Sequence, residues 1–311
     1  MINNSFNSVL QSLGPFLGSK LKAIPDKIKD NLLEIRLRVN KPVALCCIDD
    51  TYYITDNSCV TNTILNQPMF TIGSRELQEI FNTICCFSVY SKQNEIKNGY
   101  VTIKGGHRIG ICGTAVIENN SIINIRNISS INIRISSEHK GCSKQILSKI
   151  KDVKSGLLIC GAPCSGKTTI LRDLARLLST EYKKKVALID QRSEIAATYK
   201  GVSQYDVGMC DVLNCYSKND GFDQSLRCLS PDIIICDEIG TSQDVSSLEN
   251  SMNSGVSVIA SAHCTSPKEL KTKPQFNRLV SSGAFTYVAF LGNKLNVGQL
   301  VSIVKTNELY N

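Results

Sequence analysis

Between Gly161 and Thr168 the chain reads Gly-Ala-Pro-Cys-Ser-Gly-Lys-Thr, the G-x-x-x-x-G-K-[ST] spacing of a phosphate-binding loop. Glycines at both ends let the backbone curl so that its N–H groups turn inward toward phosphate oxygens. Lys167 then reaches the β- and γ-phosphates and the Thr168 hydroxyl ligates Mg²⁺. Gly161, Ala162, Pro163, Cys164, Ser165, Gly166, Lys167, Thr168 and Thr169 are therefore the expected nucleotide contacts. Seventy residues on, Pro231-Asp-Ile-Ile-Ile-Cys-Asp237-Glu238 is an apolar run ending in two acids. A magnesium–nucleotide hydrolase needs such a pair: Asp237 to support the metal and Glu238 to polarise the attacking water.

Two further candidates lie on neighbouring segments. Val256-Ser-Val-Ile-Ala-Ser-Ala262 leads into His263, which either senses the γ-phosphate or caps the end of a strand. Ala187-Leu-Ile-Asp190-Gln-Arg-Ser-Glu194-Ile-Ala196 ends a strand in a polar cluster, so it either reaches the ligand or caps a helix through Asp190 or Ser193. Arg126 and Arg134 are eight residues apart, which on one continuous strand puts them on the same side. An arginine donated by a second domain or subunit stabilises charge on a transferring phosphoryl group. The competing reading for both is solvated surface arginine.

These residues need a strand before the loop and a helix after it. Leu157–Cys160 and Ile170–Ala175 supply them. From about Lys151 onward, buried strands at 157–160, 186–190, 233–236 and 256–260 alternate with helices, which implies a largely parallel sheet covered on both faces. The first half has another texture. An amphipathic helix is expected from Ser74 to Phe87, and alternating or β-branched runs at 35–39, 99–104, 108–117 and 122–135 read as strands. The turn signals between them are Gly105-Gly106 and Asn119-Asn120. The expected architecture is α/β, with an α+β N-terminal domain over 1–145 and a nucleotide-binding domain over 146–311. The change of texture falls within Cys142–Lys154.

Bulk properties narrow the function class. The chain has 311 residues, 42% of them hydrophobic and 20% charged, with a net charge of +8. Residues 1–150 hold 17 Lys+Arg against 11 Asp+Glu and the remainder 18 against 16, so the basic excess is mostly N-terminal. There is no Trp, and no basic run with interleaved aromatics, which argues against nucleic acid as a partner. No apolar run is long enough to span a bilayer and no signal-peptide layout opens the chain. Fourteen cysteines without a single C-x-x-C, and only three histidines, fit unpaired thiols in a reducing cytoplasm better than a disulfide or zinc scaffold.

The ordered set of segments Glu34–Val39, Ser91–Gly99, Gly105–Gly110, Asn127–Arg134, Gly161–Thr169, Asp190–Ala196, Leu226–Asp232 and Asp237–Gly240 resembles the stage III sporulation protein AA family. The resemblance implies a RecA-like ATPase domain similar to type II and type IV secretion motors, with ATP and Mg²⁺. It implies a homo-oligomer, a hexameric ring with nucleotide between subunits, and N-terminal-domain arginines reaching a neighbour's nucleotide. It also implies a mother-cell cytoplasmic protein serving a membrane channel complex to the forespore during endospore formation. Two departures stand out. The family's Asp-Glu-Arg-Ser-Glu is here Asp190-Gln191-Arg192-Ser193-Glu194, and the loop Asp206–Leu213 lacks an expected arginine. Glu194 is retained as a candidate catalytic acid. An amide at 191 cannot act as a base, which leaves room for a nucleotide-gated scaffold with little hydrolysis. A nucleic-acid translocase is the other alternative.

Overall fold

The computed structural model describes residues 2–64, 67–135, 138–152, 156–272, 274–281, 283–293 and 296–309. The chain forms two compact units, Met1–Ser137 and Glu138–Asn311. Lys154, where the expected change of texture ends, lies outside the described residues.

The first unit opens with α1 (Ile2–Ser12), α2 (Gly14–Lys22) and α3 (Asp26–Asn31). It continues through β1 (Leu32–Arg38), β2 (Ala44–Cys47), β3 (Thr51–Ile54), β4 (Val60–Thr61), α4 (Ser74–Ile84), α5 (Gln93–Ile96), β5 (Tyr100–Thr102), β6 (Arg108–Glu118) and β7 (Ser121–Arg134). Its seven strands make one antiparallel sheet in the order β4-β3-β2-β1-β7-β6-β5. Ile35, Leu37, Ile131 and Ile133 lie on one face and pack with Leu77, Ile80, Phe6 and Leu17 from the helices. Asn119 and Asn120 both take positive φ, 48° and 58°, as the tight β6–β7 hairpin requires. Helix α4 ends at Ile84, short of the expected Phe87. Cys86 and Phe87 are themselves left-handed, with φ of 51° and 56°, so the α-helix cannot run through them.

The second unit contains α6 (Lys144–Leu147), β8 (Leu157–Cys160), α7 (Lys167–Thr180), β9 (Val186–Asp190), β10 (Asp211–Asn214), α8 (Lys218–Gln224) and β11 (Ile233–Cys236). It is completed by α9 (Ser242–Asn253), β12 (Ser257–Ala262), α10 (Pro267–Thr272), α11 (Pro274–Ser281), β13 (Tyr287–Leu291) and β14 (Leu300–Lys305). The sheet order is β10-β9-β11-β12-β8-β13-β14; every pairing is parallel except β13–β14. Alternate residues of each central strand feed two separate cores, one on each face. Leu157, Ile159, Ile233 and Ile235 pack with Leu171 and Leu174 of α7. Leu158, Cys160, Ile234 and Cys236 pack with Phe222, Val245 and Phe285. A sheet covered on both sides reads as continuous apolar runs, which is why these strands stand out in the sequence.

The residues just after Ser137 belong to the second unit, eight positions earlier than 146. Asp173 of α7 accepts hydrogen bonds from the amides of Gly141 and Ser143, both 2.9 Å, and from the Ser143 hydroxyl at 2.7 Å. Burial alone would raise the Asp173 carboxyl, but these donors and Arg176 outweigh it and hold the group below its ordinary value.

Candidate nucleotide site

Ligands of open α/β sheets bind beyond the carboxyl ends of the strands. Here the strand register decides which side chains meet there. Cys160 pairs with Ala262 and Cys236 with Ala260, so Gly161, Asp237 and His263 emerge side by side from β8, β11 and β12. The loop 161–166 then turns into α7, whose N-terminal cap is Gly166 at φ 90°. A β-carbon on Gly161 would lie 2.3 Å from Ser165 Oγ, and one on Gly166 would lie 3.1 Å from the Gly298 Cα. A side chain at Gly161 would displace the Ser165 hydroxyl, and one at Gly166 would be strained by the left-handed backbone angle. Gly298, between β13 and β14, donates its amide to the Ser165 carbonyl at 2.9 Å and braces the loop.

Pro163 through Thr169, Arg192, Glu194, Asp237, Glu238, His263 and Val297 line a cavity of about 540 Å³. Gly161 and Ala162 contribute carbonyls: both accept from Lys167 Nζ, at 2.9 and 2.8 Å. Lys167 also donates to His263 Nδ1 at 3.2 Å. An ammonium has no lone pair, so Nδ1 accepts and the ring proton sits on Nε2. That Nε2 lies 3.1 Å from Glu238 Oε1, and Arg192 Nη1 lies 2.9 Å from Glu238 Oε2. His263 therefore bridges the loop lysine and the acid rather than simply closing a strand. Burial lowers the Lys167 ammonium from its ordinary value, with Asp237 and Glu238 opposing that shift.

Thr168 Oγ1 donates to Asp237 Oδ2 at 3.2 Å, while the Ser261 hydroxyl donates to Asp237 Oδ1. A hydroxyl and a carboxylate at contact distance form an all-oxygen donor set suited to Mg²⁺. The Ser165 hydroxyl, buried in the loop, has no hydrogen-bond partner. Loop glycines, aligned oxygen donors and a helix N-terminus together fit a magnesium–nucleotide polyphosphate.

Asp190 has a different role from the one its position suggested. It caps no helix and does not line the cavity. It is buried, and it accepts from the amides of Glu194 (2.8 Å), Ile195 (3.1 Å) and Ala196 (2.8 Å). Burial raises its carboxyl above the usual value, while these amides pull it down. Arg172 of α7 pins the same turn from the other side, donating to the Ile195 carbonyl at 2.6 Å and the Glu194 carbonyl at 2.7 Å. Its guanidinium stacks 3.7 Å from the Tyr205 ring. The phosphate-loop helix and the Glu194 turn are thereby one structural block. Changing Arg172 to Met leaves two carbonyls unpaired in the interior and is expected to cost about 2–4 kcal/mol. The check is the shift in the urea unfolding curve, and a change below about 0.5 kcal/mol would show that the turn is held otherwise.

Gln191, the departure from the family pattern, is exposed and outside the cavity lining. Arg192, Ser261 and Val297 join the site without having been singled out from the sequence. Arg192 had one signal, its place in the polar cluster after β9.

In the first unit, Arg126 and Arg134 do not lie on one uninterrupted pleat. The β6–β7 ladder slips between Cys112 and Thr114, Asn127 is left-handed at φ 49°, and a β-carbon on Gly113 would lie 2.5 Å from the Arg126 carbonyl oxygen. The count of eight therefore does not by itself set the relative facing of the two side chains. Arg134 lines a depression of about 350 Å³ together with Glu34, Arg36, Tyr100 and Arg108. Its Nε lies 4.0 Å from Glu34, and Arg108 stacks 3.8 Å from the Tyr100 ring. Arg126 is exposed and is not part of this cluster.

The fold is shared with two solved proteins, an ATPase and a pilus motor. It superposes on the ATPase DotB of Legionella pneumophila with a TM-score of 0.53 and 14% identity, covering 88% of this chain and 75% of that one. With the pilus retraction motor PilT, solved with bound ADP, the TM-score is 0.57 at 15% identity, covering 85% and 76%. The chain belongs to the family described as sporulation stage III, protein AA, whose model matches residues 16–308. It is 34% identical over 285 residues to stage III sporulation protein AA of Bacillus subtilis (strain 168), covering 90% of this chain and 88% of that protein. Among the described residues, no helix is long and apolar enough to cross a membrane.

Proposed function

We propose that this chain is a Mg²⁺-dependent ATPase that works as a hexameric ring on a membrane channel complex of sporulating cells, from the mother-cell cytoplasm. The observation that carries the reading is the line Lys167–His263–Glu238, which joins the phosphate-contacting lysine to the acid beside the Thr168–Asp237 pair. Thr168 and Asp237 would hold Mg²⁺, which when bound neutralises charge on the phosphate oxygens. The loop amides and Lys167 bind and orient the polyphosphate. Glu238 accepts a proton from the attacking water, its two oxygens aimed by Arg192 and His263. His263, touching both Lys167 and Glu238, is placed to couple phosphate occupancy to the acid. Glu194 lies on the cavity wall, within the block fixed by Asp190 and Arg172.

Within a ring, an arginine of the neighbouring subunit completes the charge balance on the γ-phosphate. We assign this to Arg134 ahead of Arg126, because Arg134 shares its depression with Arg36 and Arg108. The exposed position of Gln191 supports catalysis over a purely scaffolding role, since the lost acid is not one that faces the cavity. The test is MgATP hydrolysis against protein concentration. Specific activity that rises with concentration, and falls when Arg134→Ala is introduced, agrees with a site completed between subunits. Concentration-independent activity from a chain that sediments as a monomer contradicts the ring.

A further inference from the structure

Glu238 is held in an unfavourable backbone conformation. Its φ is 45°, in the left-handed region, which a side chain other than glycine adopts only at a cost. Such a geometry persists only when its surroundings impose it. Here three contacts do so. The Glu238 amide donates to Ser261 Oγ at 2.9 Å, and the next amide, Ile239, donates to the Ser261 carbonyl at 2.7 Å. The Glu238 carbonyl accepts from Lys218 Nζ at 2.5 Å.

Lys218 does not line the nucleotide cavity. It is the first residue of α8, capped by Ser217, whose hydroxyl accepts from the Asp220 amide. One turn on, Gly221 lies so close to β9 that a β-carbon there would be 2.7 Å from Ile189 Cγ2. This close approach seats α8 against the sheet and sends the lysine to the end of β11. The ammonium also lies 3.6 Å from Asp244 Oδ2, and both side chains are largely buried, 15% and 10% exposed. Asp244 in turn accepts from the amides of Gly240 (3.1 Å) and Thr241 (2.9 Å). The donors and Lys218 hold its carboxyl below the ordinary value even though burial alone would raise it. Lys218 thus ties the carbonyl of Glu238 to the turn that follows it, and the Asp244 charge keeps the buried ammonium paired.

We infer that Lys218 is a positioning residue for Glu238: it fixes the left-handed backbone that aims the carboxylate into the cavity, and it touches no part of the nucleotide. The inference rests on the proposed ATPase activity. A misplacement of about 1 Å at a reacting group can cost on the order of 100-fold in rate. Lys218→Met keeps the aliphatic stem and removes the donor, so kcat is expected to fall about 10- to 100-fold, with the MgATP dissociation constant within about twofold of wild type. Lys218→Gln, which retains an N–H donor, is expected to recover part of kcat. In a Glu238→Gln background the Lys218→Met change should lower the residual rate by less than about twofold, because the two residues act through one carboxylate.

The experiment measures steady-state phosphate release and fluorescent-nucleotide titration on the full chain for these variants. Parallel loss of kcat and nucleotide affinity, or full additivity with Glu238→Gln, overturns the positioning role, as does wild-type turnover by Lys218→Met. If Lys218→Met does not fold, the same split between kcat and affinity is read on Lys218→Gln, and a parallel loss of both there overturns it. A wild-type chain that binds MgATP without turning it over contradicts the proposed activity itself, and the positioning role falls with it.

Discussion

Lys167→Ala will lower MgATP affinity by about 100-fold or more. Hydrogen bonds from a charged group are worth about 1.5–3 kcal/mol each, and about 1.4 kcal/mol is a factor of ten. An ammonium that reaches two phosphates therefore accounts for two to four powers of ten. The side chain is placed for this: it is drawn into the loop mouth by the carbonyls of Gly161 and Ala162 and lies beside the acids of β11. Alanine removes the charge while the glycines Gly161 and Gly166 and the start of α7 remain in place. Isothermal titration with MgATP checks the prediction. Affinity within threefold of wild type would place the nucleotide elsewhere.

Glu238→Gln will separate binding from turnover. The amide matches the carboxylate in size and its one oxygen can still accept from Arg192 or from His263, but it cannot take a proton from water. Removing a general base typically costs about 10²–10⁴-fold, so kcat should fall by that factor with nucleotide affinity retained. Rapid-quench measurement of phosphate formation is the suitable readout, since it reports the chemical step rather than product release. Equal rates for the variant and the wild type would remove Glu238 from the role of base.

What the sequence made legible follows from locality. The phosphate loop needs its glycines, lysine and threonine in one contiguous run, and Asp237-Glu238 must end an apolar strand. Both requirements are written within a few neighbouring residues. The central strands were equally visible, because burial on both faces leaves Leu157–Cys160 and Ile233–Cys236 without polar interruptions. Contacts set by strand order were not visible. Ser261 reaches Asp237 and Glu238 only because β12 pairs with β11, and Lys218 reaches Glu238 only because α8 packs on β9. Asp190 shows the converse: a strand-end acid beside the site can be an internal brace, and only its three amide donors reveal which. The Arg126–Arg134 count is insufficient for a local reason. Period-two arithmetic assumes an unbroken pleat, and Asn127 breaks it. The N-terminal helices were missed as well, as were β2 to β4, which at two to four residues are too short to establish a period.

The central claim is that the cavity at the end of β8, β11 and β12 hydrolyses ATP by way of Glu238. The most direct test is inorganic phosphate release from saturating MgATP by the full chain, run beside Glu238→Gln at the same concentration. The structure predicts steady release by the wild type and a rate about 10²-fold or more lower in the variant, with both proteins binding the nucleotide. Phosphate release that is equal in the two, or nucleotide bound by the wild type with none released, would contradict it.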